Sequence, residues 1–283
     1  MSSIKEIKSI ELASYTVITT SIGIVFSIIA AIALMIPISM SSPEGINIAI
    51  YILPTIVVGT LIYETYRNFF EGFIFNALSK RLKKIRFVLN DESEIFQVST
   101  TEPAIITSII LTIEIILLYL VLVMLLPILV TSFIQTLMFT GQQVLAYNLY
   151  QFLMILSQPT TILMIIFGTF IITFVFTLLA TYIYNILAKS GRGIVVELSD
   201  ENNLTVLESI NTLKFAIAFA VVSGVLNIIL AIIMIISGGQ PTAALGNIIG
   251  GFISGFVLGA LISIFYNVLS PKLGKLKLEL IDC

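Results

Sequence analysis

The chain has 283 residues, of which 58% are hydrophobic and only 11% are charged, and its formal net charge is −2. A soluble domain carries about 25% charged residues, so the composition excludes a soluble protein and predicts an integral membrane protein. The absence of His excludes the commonest metal ligand and general base, and the small net charge excludes a nucleic-acid binder. A single cysteine, Cys283, excludes an internal disulfide framework. The isoleucine-rich composition without His or Trp would suit a thermophilic archaeon.

Six hydrophobic runs are long enough to cross roughly 30 Å of hydrocarbon at ~1.5 Å per residue. They lie near Leu12–Met40, Ile50–Ser79, Ala104–Met138, Thr160–Ala188, Leu213–Ser237 and Thr242–Leu269. The first run is too long for the core of a signal peptide, so it is interpreted as a true span. A shorter apolar segment before Pro159 predicts an interfacial helix or a helix extension.

The positive charges predict the orientation in the membrane. Lys and Arg residues precede the first run and follow the second, fourth and sixth: Lys5, Lys8, Lys80, Arg81, Lys83, Lys84, Arg86, Lys189, Arg192, Lys272, Lys275 and Lys277. The loops at the opposite ends of the runs contain neither residue type. By the positive-inside rule, both termini are predicted to be cytoplasmic, in a multi-pass protein of the plasma membrane.

One phrase occurs three times, at Phe75–Leu89, Tyr184–Leu198 and Tyr266–Leu280. Its shared features are an asparagine after an aromatic residue and a glycine at a fixed distance upstream: Asn76, Asn185 and Asn267, with Gly59, Gly168 and Gly250. We interpret these as structural residues, each amide satisfying free carbonyls at a helix end and anchoring the strand that follows. The tyrosines fit an interfacial aromatic belt.

Beyond each asparagine, apolar residues alternate in a common phase, which predicts a half-buried strand. The segment before each odd-numbered run repeats as well, with Ile7 and Ile10 matching Leu207 and Ile210, and more loosely Val98 and Thr101. The chain therefore divides into three units, approximately 1–90, 91–199 and 200–283, within one membrane domain. Polar turns between units predict two cytoplasmic β-hairpins, and the unpaired terminal strands are expected to meet as a third.

This pattern is similar to a family of uncharacterised prokaryotic, archaeal-type transmembrane domains of unknown function. The resemblance rests on an aromatic-Asn-x-Leu helix end followed by glycines and a Glu-containing strand: Tyr184, Asn185, Leu187, Gly191, Gly193 and Glu197, and Tyr266, Asn267, Leu269, Gly274 and Glu279. The first copy departs, because Lys83 and Lys84 replace the glycines and Val88 replaces the glutamate. The resemblance implies the fold and the location, and no known activity.

The sixth run carries a stripe of small residues at Gly251, Gly255 and Gly259. Small residues four positions apart let helix backbones approach closely in lipid. We interpret the stripe as a surface for packing within the chain, in preference to a site for an external helix.

A polar cluster is predicted inside the membrane: Glu64, Arg67, Asn68 and Glu71 on the second run, with Glu114 on the third. Glu64 and Asn68 occupy the face that is small in the sixth run, and Glu114 aligns with Gly23 and Ser223. Charges in a membrane are costly and indicate a functional site by default. We expect Arg67 to pair with one carboxylate. The open alternatives are a structural ion network, a proton or cation pathway, and a polar partner-binding pocket.

The predicted fold class is therefore an all-α membrane protein with six transmembrane helices in three tandem pairs of pseudo-threefold arrangement, and a small cytoplasmic β-hairpin cap. The predicted function is a non-catalytic structural or accessory subunit or scaffold. The alternative is a small proton- or cation-conducting channel or carrier that uses the Glu/Arg cluster. No enzyme motif, cofactor site, metal site or nucleic-acid partner is predicted. The expected partners are the bilayer and a membrane or cytoplasmic protein; the sequence leaves a homo-oligomer open.

Overall fold

The computed structural model describes residues 2–41, 45–90 and 93–282; Asp91, in the first predicted hairpin turn, and Cys283 lie outside these ranges. The described helices are α1 Leu12–Ser41, α2 Gly45–Ser79, α3 Thr101–Phe139, α4 Gln143–Leu156, α5 Pro159–Leu187, α6 Thr212–Ile236 and α7 Pro241–Leu273. The described strands are β1 Ser2–Ile10, β2 Arg86–Asn90, β3 Glu94–Val98, β4 Ile194–Glu201, β5 Leu204–Ile210 and β6 Lys277–Asp282. A π-helical turn, Ala188–Arg192, follows α5.

The six predicted spans are confirmed as helices, because six helices of the described chain are long and apolar enough to cross a membrane. Each is predominantly apolar all round, as expected for a helix whose outer face meets lipid. The predicted interfacial segment is also helical, as α4. The next helix, α5, begins at Pro159. Proline suits the first helical position, because the backbone N–H that it lacks would have no hydrogen-bond acceptor there.

The chain divides into two compact units, Met1–Pro103 with Leu178–Cys283, and Ala104–Thr177. The first unit holds α1, α2, α6, α7, the end of α5 and all six strands. The second holds most of α3, α4 and the start of α5. In the second unit the hydroxyl of Tyr119 on α3 donates a hydrogen bond to the carbonyl of Leu156, the last residue of α4.

The predicted fold class is wrong in one respect, because the strands form a closed antiparallel barrel in the order β1-β2-β3-β4-β5-β6. The predicted pairing of β2 with β3, β4 with β5, and β1 with β6 is present. Each predicted unit also pairs its own two strands, β1 with β2, β3 with β4, and β5 with β6. These additional pairings convert three hairpins into one continuous sheet, which leaves no bare edge.

The barrel keeps its register through a tight turn and three irregularities. Asn202 and Asn203 join β4 to β5 with φ angles of 51° and 66°, which asparagine tolerates better than most residues. In the pairing between neighbouring units, one residue is skipped in the first strand of each unit, namely in β1, β3 and β5. The skipped residues are Lys8, Phe96 and Glu208. Such bulges bend a strand and increase its twist, as closing a six-stranded barrel requires.

The apolar face of the sheet lies against the helix ends. Ile95, Val98 and Ile194 pack against Tyr184 and Ala218, which are 8% and 2% exposed. The apolar residues of these alternating strands therefore form the side of the barrel that packs against the helices.

Candidate functional site

The three repeated asparagines each bind the backbone of one strand residue through two hydrogen bonds. Asn185 Oδ1 accepts from the N–H of Val98 at 2.8 Å, and its Nδ2 donates to the carbonyl of Val98 at 2.7 Å. Asn76 makes the same pair of contacts with Ile10 at 2.8 and 2.8 Å, and Asn267 with Ile210 at 2.9 and 2.8 Å. We call each of these paired contacts an Asn clamp.

The Asn clamps lie beyond the point where the ladder between the two strands of one unit stops. The ladder between β5 and β6 pairs Thr205 with Leu278 and Val206 with Lys277, so Ile210 lies beyond its end. An amide presents one donor and one acceptor side by side, as a strand residue does. Each asparagine therefore satisfies the N–H and the carbonyl of one strand residue, two backbone groups that are costly to bury without partners.

These contacts correct the predicted role of the asparagines. The amides were expected to satisfy helix carbonyls and to anchor the strand that follows. They bind instead the strand that precedes the helices of the same unit, through Ile10, Val98 and Ile210.

The tyrosines beside two of the asparagines are wrongly predicted as belt residues, because they are 8% and 4% exposed. The hydroxyl of Tyr184 donates to the carbonyl of Ile95 at 2.6 Å and accepts from the N–H of Ile194 at 3.1 Å. Tyr266 bridges Leu207 and Leu276 in the same way. Each hydroxyl therefore bridges the two strands of one unit, and each tyrosine directly precedes the asparagine of an Asn clamp in the chain.

The Asn clamps also correct the predicted alignment of the middle copy. Val98 occupies the position of Ile10 and Ile210, where the sequence alignment placed Thr101. The shift is three residues (101 − 98), so Glu114 no longer aligns with Gly23 and Ser223. The sequence could not reveal this shift, because β3 contains an aromatic residue, Phe96, at its bulge and lacks the serine of the other copies.

The glycines differ in their surroundings. A methyl group built on Gly59, Gly168 or Gly250 would meet no atom within 4 Å in the described chain. A methyl on Gly255 would lie 2.8 Å from Ser223 Cβ, and one on Gly259 would lie 2.8 Å from Phe219 Cβ. The predicted stripe therefore lies at the contact between α6 and α7.

Three residues of the predicted polar cluster, Glu64, Arg67 and Asn68, form a network at the contact between α1 and α2. Glu64 Oε1 lies 3.8 Å from Arg67 Nη1, and Asn68 Nδ2 lies 3.3 Å from Glu64 Oε2. Asn68, which is 4% exposed, also donates to Thr20 Oγ1 at 3.2 Å. Gly23 lies against the same carboxylate, since a methyl there would be 3.2 Å from Glu64 Cγ. Thr20, which the sequence did not indicate, is therefore part of the network.

The other two members of the predicted cluster, Glu71 and Glu114, lie on α2 and α3. Glu71 lies on α2, four residues beyond Arg67, and is half-buried. Glu114 lies on α3 in the second compact unit, and its Oε1 is inaccessible to solvent. The pairing of Arg67 with Glu64 is observed, whereas a common cluster that includes Glu114 stays a prediction.

Ion pairs link the strands of the barrel to one another. Glu279 accepts from Lys8 at 2.6 Å and from Ser9 at 2.9 Å, which joins β6 to β1. The hydrogen bond from Lys8 is the main reason why the pKa of Glu279 lies below its ordinary value of 4.5. Glu208 is bound by Lys275, and its pKa is lowered for the same reason. Lys277 has a raised pKa because Glu201 accepts its hydrogen bond.

Acid is expected to weaken the closure between β1 and β6. A carboxylate with a lowered pKa contributes stability that is present above its unfolded pKa and is lost as the pH falls through its folded pKa. The thermal midpoint of the protein should therefore fall as the pH drops below the ordinary value of 4.5. The effect is small because Glu279 is solvent-exposed and screened. In the Glu279→Gln variant this acid dependence should be reduced, and an unchanged dependence would contradict the role of the pair.

Within the described residues no group of three or more His, Cys, Asp or Glu side chains could hold a metal ion. No family model, curated protein or solved structure matches the chain.

Proposed function

We propose that the protein is a non-catalytic membrane scaffold or accessory subunit that holds its β-barrel rigidly at the membrane. The observation that carries this proposal is the Asn clamp, repeated at Asn76, Asn185 and Asn267. Each clamp joins a helix end directly to a strand end. A barrel tied at three points cannot tilt independently of the helices, which suits a platform for another protein.

The polar network on α2 supports the same function. Glu64 is paired with Arg67, bonded to Asn68 and covered by Gly23. Neither the 260 Å³ cavity beside α5 nor the 520 Å³ cavity beside α1 and α2 includes these polar residues. Such an arrangement fixes the relative position of two helices, because each charged or amide group is satisfied in one register.

In this proposal the barrel and both termini lie in the cytoplasm, as the positive-inside rule predicts. The barrel would then meet a cytoplasmic protein or the cytoplasmic part of a membrane protein. The resemblance to the uncharacterised prokaryotic family agrees with this location, and we propose membership on the motif residues alone.

Proton flux in liposomes tests the proposal against a channel or carrier. We expect the purified protein to add no proton flux to that of empty liposomes under an imposed potential, with a pH-sensitive dye inside. Glu64→Gln and Glu114→Gln should leave the flux unchanged. Glu64→Gln should lower the thermal midpoint, because the variant loses the charge that pairs with Arg67. Flux that disappears in either variant would replace the scaffold with a conducting pathway.

Cross-linking in native membranes provides the positive arm of the test. A photo-reactive residue at Glu197 or Asp200, both exposed on β4, should give a reproducible adduct with one protein. The same residue at Val144, exposed on α4, provides the comparison away from the barrel. Equal and diffuse labelling from all three positions would contradict a barrel platform.

A further inference from the structure

An apolar cavity lies where the end of α5 and the start of α6 meet β3 and β4. Its volume is about 260 Å³, and its walls include Ala180, Ala218, Val222 and Ile194. That volume is below the range of roughly 300–1,000 Å³ typical of pockets for drug-sized ligands. The cavity therefore has the size and polarity for one narrow apolar chain. We call this place the α5–α6 seam.

A second seam, between α7 and α1, shows how the chain fills the corresponding space. Ala218 follows the clamped residue Ile210 by the same number of positions as Ile18 follows the clamped residue Ile10, so Ala218 corresponds to Ile18. Ile18 is 1% exposed. Counted from Asn185 and Asn267, Ala180 corresponds to Ile262. The α7–α1 seam is also closed by Phe26 and Phe265, whose ring centroids are 5.2 Å apart. Two alanines in place of two isoleucines therefore leave the α5–α6 seam open.

The open seam carries a basic rim. Lys214 lies four residues before Ala218 on the same face of α6. Its Nζ donates to the carbonyl of Gly191 at 2.9 Å, so the ammonium group crosses from α6 to the turn after α5. That turn also presents the exposed residues Lys189 and Arg192.

The closed seam has no charge at the three matching positions. Ser14, Pro271 and Gly274 stand where Lys214, Lys189 and Arg192 stand in the open seam.

One acidic side chain must be weighed against the basic rim. Glu94 Oε1 accepts the N–H of Gly193 at 2.8 Å, next to the cavity residue Ile194. The three basic residues of the rim outnumber this single carboxylate, so the rim keeps a net positive charge.

We propose that the α5–α6 seam binds an anionic phospholipid, with one acyl chain in the cavity and the phosphate at Lys214, Arg192 and Lys189. The cavity lies at the ends of helices that are apolar enough to span a membrane, which is the depth at which an acyl chain begins. An ammonium group has three donors, and the Gly191 carbonyl takes one of those on Lys214, leaving donors for a phosphate. This inference does not depend on the proposed scaffold function.

Thermal unfolding in mild detergent, with added lipid, tests the site. Phosphatidylglycerol should raise the midpoint of the delipidated wild-type protein more than phosphatidylcholine with the same acyl chains. Ala218→Ile and Ala180→Ile should abolish this difference, because they copy Ile18 and Ile262 and occupy the cavity. Their midpoints without lipid should be equal to or above that of the wild type. Lys214→Gln and Arg192→Gln should each weaken phosphatidylglycerol binding about fivefold.

The matched control is Lys272→Gln, which removes an exposed lysine from the end of α7 and should keep the full preference for phosphatidylglycerol. Equal shifts with both lipids in the wild type would overturn the proposal, as would a preserved preference in a folded Ala218→Ile variant. An equal shift with inorganic phosphate alone would also overturn it, since the acyl chain would then contribute nothing. If the isoleucine variants do not fold, Ala218→Val and the two glutamine variants decide the outcome by the same criterion.

Discussion

The Asn185→Leu variant is expected to lose about 2–4 kcal/mol of unfolding free energy, because it leaves the part-buried N–H and carbonyl of Val98 without their partner. Leucine is close to asparagine in size, so the loss comes from the two hydrogen bonds rather than from a cavity. Asn185 is 8% exposed, and its equivalents Asn76 and Asn267 are half-buried. The same change at those two positions should therefore cost less, because water can reach the freed backbone groups.

The measurement is the midpoint and free energy of unfolding in mixed detergent micelles, followed by circular dichroism. Asn247→Leu is the control, since Asn247 is exposed on α7 and its Nδ2 donates a weak hydrogen bond to the sulfur of Met234 at 3.6 Å. The control should change the stability by less than about 0.5 kcal/mol. Equal losses at Asn185 and Asn247 would show that the clamp contributes nothing specific.

Gly255→Leu is the second large effect that we expect, and it acts on the contact between α6 and α7. A methyl group at Gly255 would already lie 2.9 Å from the carbonyl oxygen of Phe219 and 3.0 Å from Cα of Ala220. These are backbone atoms, so the overlap cannot be relieved by a side-chain rotation. Moving the helices apart should cost about 2–3 kcal/mol.

The control for this prediction lies five residues earlier in the same helix. A methyl at Gly250 would meet nothing within 4 Å, so Gly250→Leu should be neutral or slightly stabilising. Thermal unfolding of the two variants in the same detergent separates packing from helix propensity. A loss of stability at Gly250 as large as that at Gly255 would contradict the assignment of the stripe to the α6–α7 contact.

The two sets of glycines show how far a sequence pattern can be interpreted. The four-residue spacing of Gly251, Gly255 and Gly259 indicates a packed helix face, and the contacts agree with that interpretation. Gly250 is just as regular a member of the repeated phrase, yet open space lies beside it. Spacing alone cannot distinguish the two cases, because it does not specify which neighbour a helix face meets.

The polar residues of the membrane segments give a similar lesson. The sequence indicates that Glu64 and Asn68 occupy the face of α2 that corresponds to the small-residue face of the sixth run, and both contact α1, through Gly23 and Thr20. The sequence leaves the partner of Arg67 open among three carboxylates, and in the structure Glu64 Oε1 lies 3.8 Å from Arg67 Nη1. That contact depends on side-chain reach along one helix, which the sequence restricts without deciding.

The six membrane helices, the alternating strands and the turns between units were determined by the sequence itself, because hydrophobic length, period and turn chemistry are local properties. The closed barrel, the partners of Asn76, Asn185 and Asn267, and the cavity beside Ala218 were decided only by the tertiary structure. Each of these depends on residues far apart in the chain. For example, β1 pairs with both β2 and β6. A local sequence pattern indicates a strand, but it does not indicate how many strands that strand pairs with.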